Sequence, residues 1–397
     1  MFGFGDNVFE KVSEHNSAMR VITKKYRSDL SEILFPPERS LLVTGGNSVK
    51  RLNILCRAVS AVKSSSPHPC VILTSNPDTE QALIGLANSG MIGQLYVCSD
   101  SYREYDVFSG MNRSVIAEFF TNVAEYRGYK DSSRLHNYAM AFLKVLELTI
   151  NDPLTLTSIT EFSTQNNDIA IAQHAVSLGL DDEYNVLSDP SGGRDFRAIL
   201  STVSIAFSSL TTFPCSSGFS ITNALKTSSV TCIRSSTTEP NVLGLYFAQL
   251  FKAVDNRCFH LFLDDSDLLS TQEFVKQIER LKKKPGIFVN LFSKNACLYD
   301  EELFSHFSRQ IILLDDTEID SSDIQLLFNK CFGEYTAYDI GTGSSKPAHL
   351  LFSLEKSPQY NTVTYTRPKL LVEETFGYES VIKGHNGSVI CMIRRII

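Results

Sequence analysis

Residues 259–269 read FHLFLDDSDLL, and this stretch decides the fold. Apolar side chains dominate its first five positions, and two carboxylates, Asp264 and Asp265, follow directly. A strand that is apolar on both faces is typical of the middle of a parallel sheet covered by helices on each side. The stretch therefore predicts a central strand whose carboxyl end carries two adjacent aspartates.

Two interpretations of this aspartate pair are open. The carboxyl ends of parallel strands form the ligand crevice of α/β proteins. In a nucleotide-hydrolysing protein, Asp264 would hold a metal-bound water and Asp265 would polarise the attacking water. In the other interpretation, the pair only opens the following turn and caps a helix that is predicted from Ser270 onward.

A second candidate segment lies near the start of the chain. Residues 40–44 (SLLVT) predict a short strand, and an apolar helical pattern begins at Leu52. Between them stands GGNSVKR, residues 45–51. A strand, a glycine-rich turn and a helix are the context of a phosphate-binding loop, where backbone N–H groups point at phosphate oxygens and a lysine neutralises charge.

This segment departs from the phosphate-loop pattern GxxxxGK[ST]. When Lys50 is aligned with the lysine of the pattern, Thr44 and Val49 take the two glycine positions and Arg51 replaces the hydroxyl residue. A plain glycine turn between strand and helix is therefore the open alternative. The candidate nucleotide-binding residues are Gly45, Gly46, Asn47, Ser48, Lys50 and Arg51.

Composition restricts the class of protein. The chain has 397 residues, 43% of them hydrophobic and 20% charged, which are values of a globular protein with a large core. The net charge of −7 does not support nucleic-acid binding through an overall basic surface, although a local basic patch at residues 279–286 (ERLKKKPG) leaves that binding possible.

The expected cellular compartment follows from signals that the sequence does not show. No apolar run approaches the roughly 20 residues of a membrane helix, and the N-terminus lacks the pattern of a secretory signal. The nine cysteines show no metal-ligand spacing, so we expect a reducing, cytoplasmic compartment and no structural zinc.

The order of patterns predicts the domains. Residues 40–98 read β-α-β-α-β, helical patterns fill the chain from residue 112, and strands resume after residue 213. We predict a helical lead-in at 1–39, an α/β domain formed by 40–111 and 194–397, and an inserted all-helical domain at 112–193. Residues 219–221 are expected to start a strand, and residues 332–360 are expected to be loop-like.

Four segments in this order carry a family resemblance: LLVTGGNSVKR, VILTSNPDTE, HLFLDDSDLLSTQEFVKQIERLKKKPGIFVNLFS and TRPKLLVEETFGYES. With the helical insert between the second and the third, they resemble the coupling-protein ATPases of conjugation and type IV secretion, the TraG/TraD-like group of the FtsK/HerA translocases. The resemblance covers about residues 40–397 and implies a RecA-like P-loop NTPase fold with a mostly parallel central sheet. It also implies a degenerate Walker A segment at residues 45–51 and a degenerate Walker B pair at Asp264 and Asp265, with magnesium at Asp264 only in an active enzyme.

The departures from this family fall on the residues of its chemistry. Asp265 stands where a glutamate is usual, and residues 290–293 (NLFS) lack the sensor glutamine. The membrane anchor of many family members is also missing from the N-terminus. Because phosphoryl transfer depends on positioning and charge stabilisation, these departures together disfavour efficient hydrolysis.

The leading hypothesis is a degenerate coupling-ATPase homologue, a pseudo-ATPase that binds secretion or conjugation subunits or copies of itself, such as a hexamer. Two alternatives stay open. One is an active ATP-driven DNA or protein translocase with an unorthodox nucleotide site. The other is a non-motor α/β scaffold or regulatory protein of a mobile element. Whether the chain uses ATP and magnesium or no cofactor stays open with them.

Overall fold

The computed structural model describes residues 39–211, 219–254, 256–294, 307, 309–313, 334–341, 359–366, 379–383 and 389–393. These residues form two compact units. The first unit holds residues 42–51 and the described residues from Lys294 onward. The second unit holds residues 39–41 and the described residues from Leu52 to Ser293. Apart from Arg39, the predicted helical lead-in lies outside the described residues.

Strands and helices alternate at both ends of a long helical run. The strands are β1 (Leu41–Gly45), β2 (Cys70–Thr74), β3 (Leu95–Cys98), β4 (Val230–Arg234), β5 (Phe259–Asp264), β6 (Ile287–Ser293), β7 (Arg309–Leu313), β8 (Glu334–Gly341), β9 (Gln359–Thr366), β10 (Glu379–Lys383) and β11 (Val389–Ile393). The helices are α1 (Ser48–Ser65), α2 (Pro77–Asn88), α3 (Arg113–Tyr126), α4 (Ser132–Ile150), α5 (Leu156–Gln165), α6 (Asp168–Ser177), α7 (Asp181–Leu187), α8 (Pro190–Ala206), α9 (Ile221–Ala224), α10 (Pro240–Ala253) and α11 (Gln272–Lys282). A short 3-10 helix, Asp267–Ser270, precedes α11.

The sheet of the second unit has the strand order β6-β5-β2-β4-β3, and all of its neighbouring strands are parallel. Every residue of β2 and of β5 is buried. Such strands bury both faces, which accounts for their continuous apolar sequences. Thr74 pairs in register with Asp264 on one side and with Arg234 on the other, so polar side chains meet at the carboxyl edge of the sheet.

The helical run α3 to α8 belongs to the second unit, and its two ends meet at a common neck. The backbone N–H of Tyr105 donates to the carbonyl of Leu210, and Glu104 forms an antiparallel bridge with Thr211. The buried hydroxyls of Tyr105 and Tyr246 are hydrogen-bonded at 2.6 Å, which ties this neck to α10. Entry and exit at one point are the geometry of an insertion, although its predicted boundaries, residues 112–193, stay a prediction.

The first unit contains four further strands in the order β10-β11-β7-β1. Strand β11 runs parallel to β7, with Cys391 opposite Ile311, and β10 pairs with β11 in the antiparallel direction. Strands β8 and β9 form a separate antiparallel pair, with Glu334 opposite Thr366.

The predicted fold class is confirmed: the fold is α/β, the sheet strands are mostly parallel, and an all-helical run interrupts them. Two local expectations are wrong. Residues 219–221 do not begin a strand, because Ser220 instead caps the short helix α9, its hydroxyl accepting the N–H of Asn223. The segment 332–360 is not wholly loop-like, since it contains β8 and the start of β9.

Candidate functional site

Strand β5 carries Asp264 to the carboxyl edge of the sheet of the second unit. The strand lies between β2 and β6, and Asp264 is 2% exposed. Burial of an ionised carboxylate is costly unless hydrogen-bond donors surround it. The donors around Asp264 therefore decide whether this residue has a structural role or is available to bind a metal ion.

Two threonine hydroxyls donate to the same carboxylate oxygen of Asp264. Thr74 Oγ1 lies 2.9 Å from Asp264 Oδ2, and Thr79 Oγ1 lies 2.5 Å from it. Thr74 ends β2, and Thr79 lies in the first turn of α2, which Asn76 caps by accepting the N–H of Asp78. The turn between β2 and α2 thus places both hydroxyls on the aspartate. Sequence reasoning did not select either threonine, although their position directly after a buried strand was an available signal.

Asp265 makes the turn that leaves β5. Its φ of 41° lies in the left-handed region, which aspartate tolerates better than most residues. Its N–H donates to the carbonyl of Phe292 at 2.9 Å, and its side chain is half-buried. Neither aspartate caps a helix, because Thr271 occupies the N-cap position of α11.

The glycine turn of the first unit is pressed against β7. Gly45 and Gly46 both have positive φ, 77° and 61°. A Cβ at Gly45 would meet the carbonyl oxygen of Leu313, and a Cβ at Gly46 would lie 2.8 Å from the Leu313 Cβ. The N–H of Gly45 donates to the carbonyl of Lys294 at 3.2 Å. Close backbone packing and left-handed geometry therefore require both glycines, whatever the turn binds.

Arg51 occupies the inner side of this turn. Its Nη1 donates to the carbonyl of Gly45 at 3.1 Å and to the carbonyl of Gly46 at 2.7 Å, and the residue is 4% exposed. Asn47 caps α1, its side chain accepting the N–H of Lys50 at 2.9 Å. Asn47 and Ser48 are exposed, and Lys50 is half-buried.

These contacts do not fit a nucleotide phosphate. A phosphate loop directs backbone N–H groups toward the anion, whereas here two carbonyl oxygens of the turn hold a guanidinium. The position that would supply a hydroxyl ligand to magnesium is Arg51, which has no oxygen in its side chain. Among the described residues, no group of three or more His, Cys, Asp or Glu side chains is placed to hold a metal ion.

The structure places the predicted site residues in two groups. Gly45, Gly46 and Arg51 are brought together in the first unit, and Asp264 and Asp265 follow one another in the second. In the first unit Arg51 binds the turn, and in the second unit Asp264 accepts hydrogen bonds from two threonines that the sequence did not single out.

A further charged cluster lies at the same sheet edge as Asp264. Arg234 ends β4 and its Nε donates to Glu80 at 2.6 Å, while Nη1 reaches Asp100 at 3.5 Å. The hydrogen bond that Arg234 donates to Glu80 raises the pKa of Arg234 above its usual value, with the charges of Glu80 and Asp100 adding to this effect. Burial, and secondarily the charge of Asp264, raises the pKa of Cys56 to about 11, so this thiol is protonated at neutral pH.

The fold and the site define the class: an α/β protein with a mostly parallel sheet and an aspartate at the carboxyl end of a central strand. No protein-family model matches the chain, and no curated protein matches it. Among solved structures, the chain is similar to VirB4 of Thermoanaerobacter pseudethanolicus, with a TM-score of 0.45 and 10% identity over 73% of this chain and 81% of that one. A likeness of this degree assigns neither family nor function. Within the described residues, no helix is long and apolar enough to cross a membrane.

Proposed function

We propose that this protein is a degenerate relative of the coupling-protein ATPases, a pseudo-ATPase that works by binding partners in a conjugation or type IV secretion-like system. The observation that carries the proposal is the contact of Arg51 with the carbonyls of Gly45 and Gly46. A buried guanidinium holds the turn in a conformation that offers acceptors to a cation, whereas a phosphate needs donors. The Arg51 side chain thus occupies the inner side of the turn.

The state of Asp264 agrees with this proposal. Its Oδ2 already accepts two hydroxyl hydrogen bonds, so this oxygen has partners without a metal ion. The placement of β5 between β2 and β6 fits a RecA-like ancestry, in which this strand would be the former Walker B strand. The ancestry would then survive in the sheet after the phosphate loop had changed.

The partners in this proposal are subunits of the secretion or conjugation machinery, or further copies of the chain in a ring such as a hexamer, in the cytoplasm. Light scattering on the purified chain tests the ring. A hexamer in solution would support the relation to ring-forming translocases, and a strict monomer would favour the alternative of a non-motor scaffold or regulatory protein.

An active translocase is the second candidate, and one observation favours it: Asp264 remains buried at the carboxyl end of the central strand. Titration calorimetry with ATP and magnesium, followed by a phosphate-release assay, separates the two candidates. For the pseudo-ATPase we expect neither heat of binding nor turnover. ATP turnover that disappears in both Lys50→Ala and Asp264→Ala, but persists in the exposed-lysine control Lys226→Ala, would contradict our proposal.

The substitution Arg51→Thr sharpens this test. It removes the guanidinium from the turn and places a hydroxyl directly after Lys50, as in the phosphate-loop pattern. If Arg51 is what excludes phosphate, the variant should bind ATP with magnesium more tightly than the wild type does. Equal binding by the two proteins would show that Arg51 does not control nucleotide access.

A further inference from the structure

A run of polar contacts connects the end of β5 with the insert, the helical run α3 to α8, and lies entirely within the second unit. Residues 265–271, here called the exit turn, follow directly on Asp264 and include the 3-10 helix. The 3-10 helix packs against α10, and α10 packs against α3. The N–H of Asp267 donates to the Ser75 hydroxyl oxygen at 3.3 Å, which ties the exit turn to the end of β2 as well. Helix α10 therefore stands between the end of β5 and the insert.

The last residue of the exit turn, Thr271, is bonded to α10 and not to the helix that it precedes. It occupies the N-cap position of α11, where a threonine hydroxyl usually accepts a backbone N–H of the first turn. No N–H among the described residues of α11 donates to this side chain. Its hydroxyl instead donates to Asn241 Oδ1 at 3.2 Å, and the residue is 6% exposed. The stabilisation that a cap would give to α11 is thus forgone for a contact with α10.

Gly244 allows this contact from the side of α10. A Cβ at position 244 would lie 2.6 Å from the Cβ of Thr271 and 2.9 Å from its Cγ2, which is too close for a side chain. Glycine in the interior of a helix destabilises the helix relative to alanine. A helix without its side-chain cap and a glycine inside a helix are two local departures from stability, and they meet at one contact. Such departures are expected at positions that serve a function.

Asn241 extends the connection to the insert. Its Nδ2 donates to the hydroxyl of Tyr126, the last residue of α3, at 2.8 Å. Beside this bond, Arg127 Nη2 donates to Glu239 Oε1 at 2.6 Å. Both Tyr126 and Arg127 are exposed, so water reaches these contacts. A chain of two side-chain hydrogen bonds, Thr271 to Asn241 and Asn241 to Tyr126, thus links the exit turn with the C-terminal end of α3.

The other half of α3 is held to α10 in a different way. The ring of Phe119 lies 5.6 Å from the ring of Tyr246, and both residues are buried. Buried apolar contacts open only with a large part of the fold, whereas exposed hydrogen bonds open locally. Helix α3 therefore has one end fixed by aromatic packing and one end whose position depends on Asn241.

We propose that the chain Thr271–Asn241–Tyr126 transmits a displacement of the exit turn to the C-terminal end of α3. A ligand or partner that moves the exit turn changes the position of this end of the insert. Binding to the insert changes the exit turn in return, because coupling between two sites is reciprocal. The inference goes beyond the proposed function, and it holds whether or not the chain binds a nucleotide.

Hydrogen-exchange mass spectrometry on the full chain tests this proposal, with one peptide that covers the exit turn and another that covers residues 123–130. Leu268→Ala truncates a leucine of the exit turn that is 2% exposed, and Ser75→Ala is a milder change that removes the acceptor of the Asp267 N–H. In both variants we expect exchange in the exit turn to be about fivefold faster. Exchange at residues 127–129, whose N–H groups donate to the last turn of α3, should be about threefold faster.

Tyr126→Phe removes the hydroxyl at the end of the chain of contacts and keeps the ring. In this background, Leu268→Ala and Ser75→Ala should still accelerate exchange in the exit turn but should no longer change it at residues 127–129. A double-mutant cycle measures this non-additivity. The matched control is Tyr184→Phe, at an exposed tyrosine on α7, in whose background the acceleration should persist at both places.

Three results would overturn the proposal. In the first, exchange accelerates in the exit turn while residues 127–129 keep the rate of the wild type. In the second, the acceleration at residues 127–129 is the same with and without the Tyr126 hydroxyl, which would mean that packing alone carries the displacement. In the third, neither variant changes exchange in the exit turn, which would mean that this segment does not move.

Discussion

The glycine turn and the carboxyl end of β5 are the two halves of the predicted nucleotide site, and their hydrogen-bond partners differ in charge. At the turn, Arg51 holds the carbonyls of Gly45 and Gly46 with its charged side chain. At β5, the buried carboxylate of Asp264 accepts hydrogen bonds at Oδ2 from the neutral hydroxyls of Thr74 and Thr79. A buried guanidinium is displaced less easily than a hydroxyl. The carbonyls of the glycine turn thus bind a cationic side chain, whereas the two hydroxyl donors to Asp264 Oδ2 are neutral.

The largest expected effect is at the glycine turn. Gly45→Ala introduces a Cβ against the carbonyl of Leu313 at a φ of 77°. Gly90 has nearly the same φ, 76°, but open space around its Cβ position, so Gly90→Ala is a matched control. We expect Gly90→Ala to cost about 1 kcal/mol from backbone strain alone and Gly45→Ala about 3 kcal/mol, because the clash adds to the strain.

Urea denaturation of the two variants measures this difference in the free energy of unfolding. Equal losses for Gly45→Ala and Gly90→Ala would show that only the positive φ matters. The glycines would then be consistent with an open loop that a phosphate could enter, and the contrast with β5 would disappear.

The next effect concerns the other half of the comparison. Asp264→Ala leaves the hydroxyls of Thr74 and Thr79 without their acceptor and should destabilise the fold by about 2 kcal/mol. Asp264→Asn keeps one carbonyl acceptor. Thr79→Val removes one hydroxyl donor and keeps the shape of the side chain. Each substitution should lower the free energy of unfolding by about 1 kcal/mol. Chemical denaturation of the three variants provides the measurement.

A stable Asp264→Ala protein would reverse the interpretation of β5. A buried charge whose removal stabilises the fold is retained against stability, which is the behaviour of a functional residue. That outcome would favour the active translocase over the pseudo-ATPase at this half of the site.

The sequence allowed β5 and its aspartates to be predicted because a fully buried parallel strand is a continuous apolar run, and periodicity is local information. The strand β8, residues 334–341 (EYTAYDIG), contains strand-favouring Tyr335, Thr336, Tyr338 and Ile340, but it lies in the segment predicted to be loop-like around residues 341–347. At residues 219–221 the apolar residues predict a strand, and Ser220 instead caps α9.

The contacts of the candidate site could not be predicted in this way. The partners of Arg51 are carbonyls of the turn before it, and their direction depends on two positive φ angles fixed by contact with Leu313. The partners of Asp264 come from residues 74 and 79, which reach it only through the pairing of β2 with β5. Both sets of contacts depend on the tertiary structure, and the spacing of residues in a motif does not predict them.

The smallest effect on stability at neutral pH is expected for His260. This residue lies on β5 and is as buried as Asp264, but within the part of the chain that the structure describes its side chain lacks hydrogen bonds of the kind that Asp264 makes. It is 1% exposed, neither ring nitrogen has a hydrogen-bond partner among the described residues, and its ring stacks on Phe288 at 4.8 Å. His260→Phe removes the unsatisfied nitrogens and keeps an aromatic ring, so the variant should be more stable by about 1 kcal/mol at pH 7.

Acid sharpens the contrast between these two residues of β5. Burial, with smaller contributions from His68 and Lys63, lowers the pKa of His260 to about 3. The unfolded chain takes up this proton near pH 6.5 and the folded chain does not, so the stability that depends on neutral His260 is complete above pH 6.5 and is lost as the pH falls toward 3. Between these values the free energy of unfolding should fall by up to about 1.4 kcal/mol per pH unit more steeply in the wild type than in His260→Phe. Denaturation curves across this pH range measure both slopes.

Phe288→Leu is the control, because it removes the ring stack without removing a titrating group and should keep the slope of the wild type. Parallel slopes in wild type and His260→Phe would mean that His260 is protonated in the folded chain, and that β5 opens to water at this position.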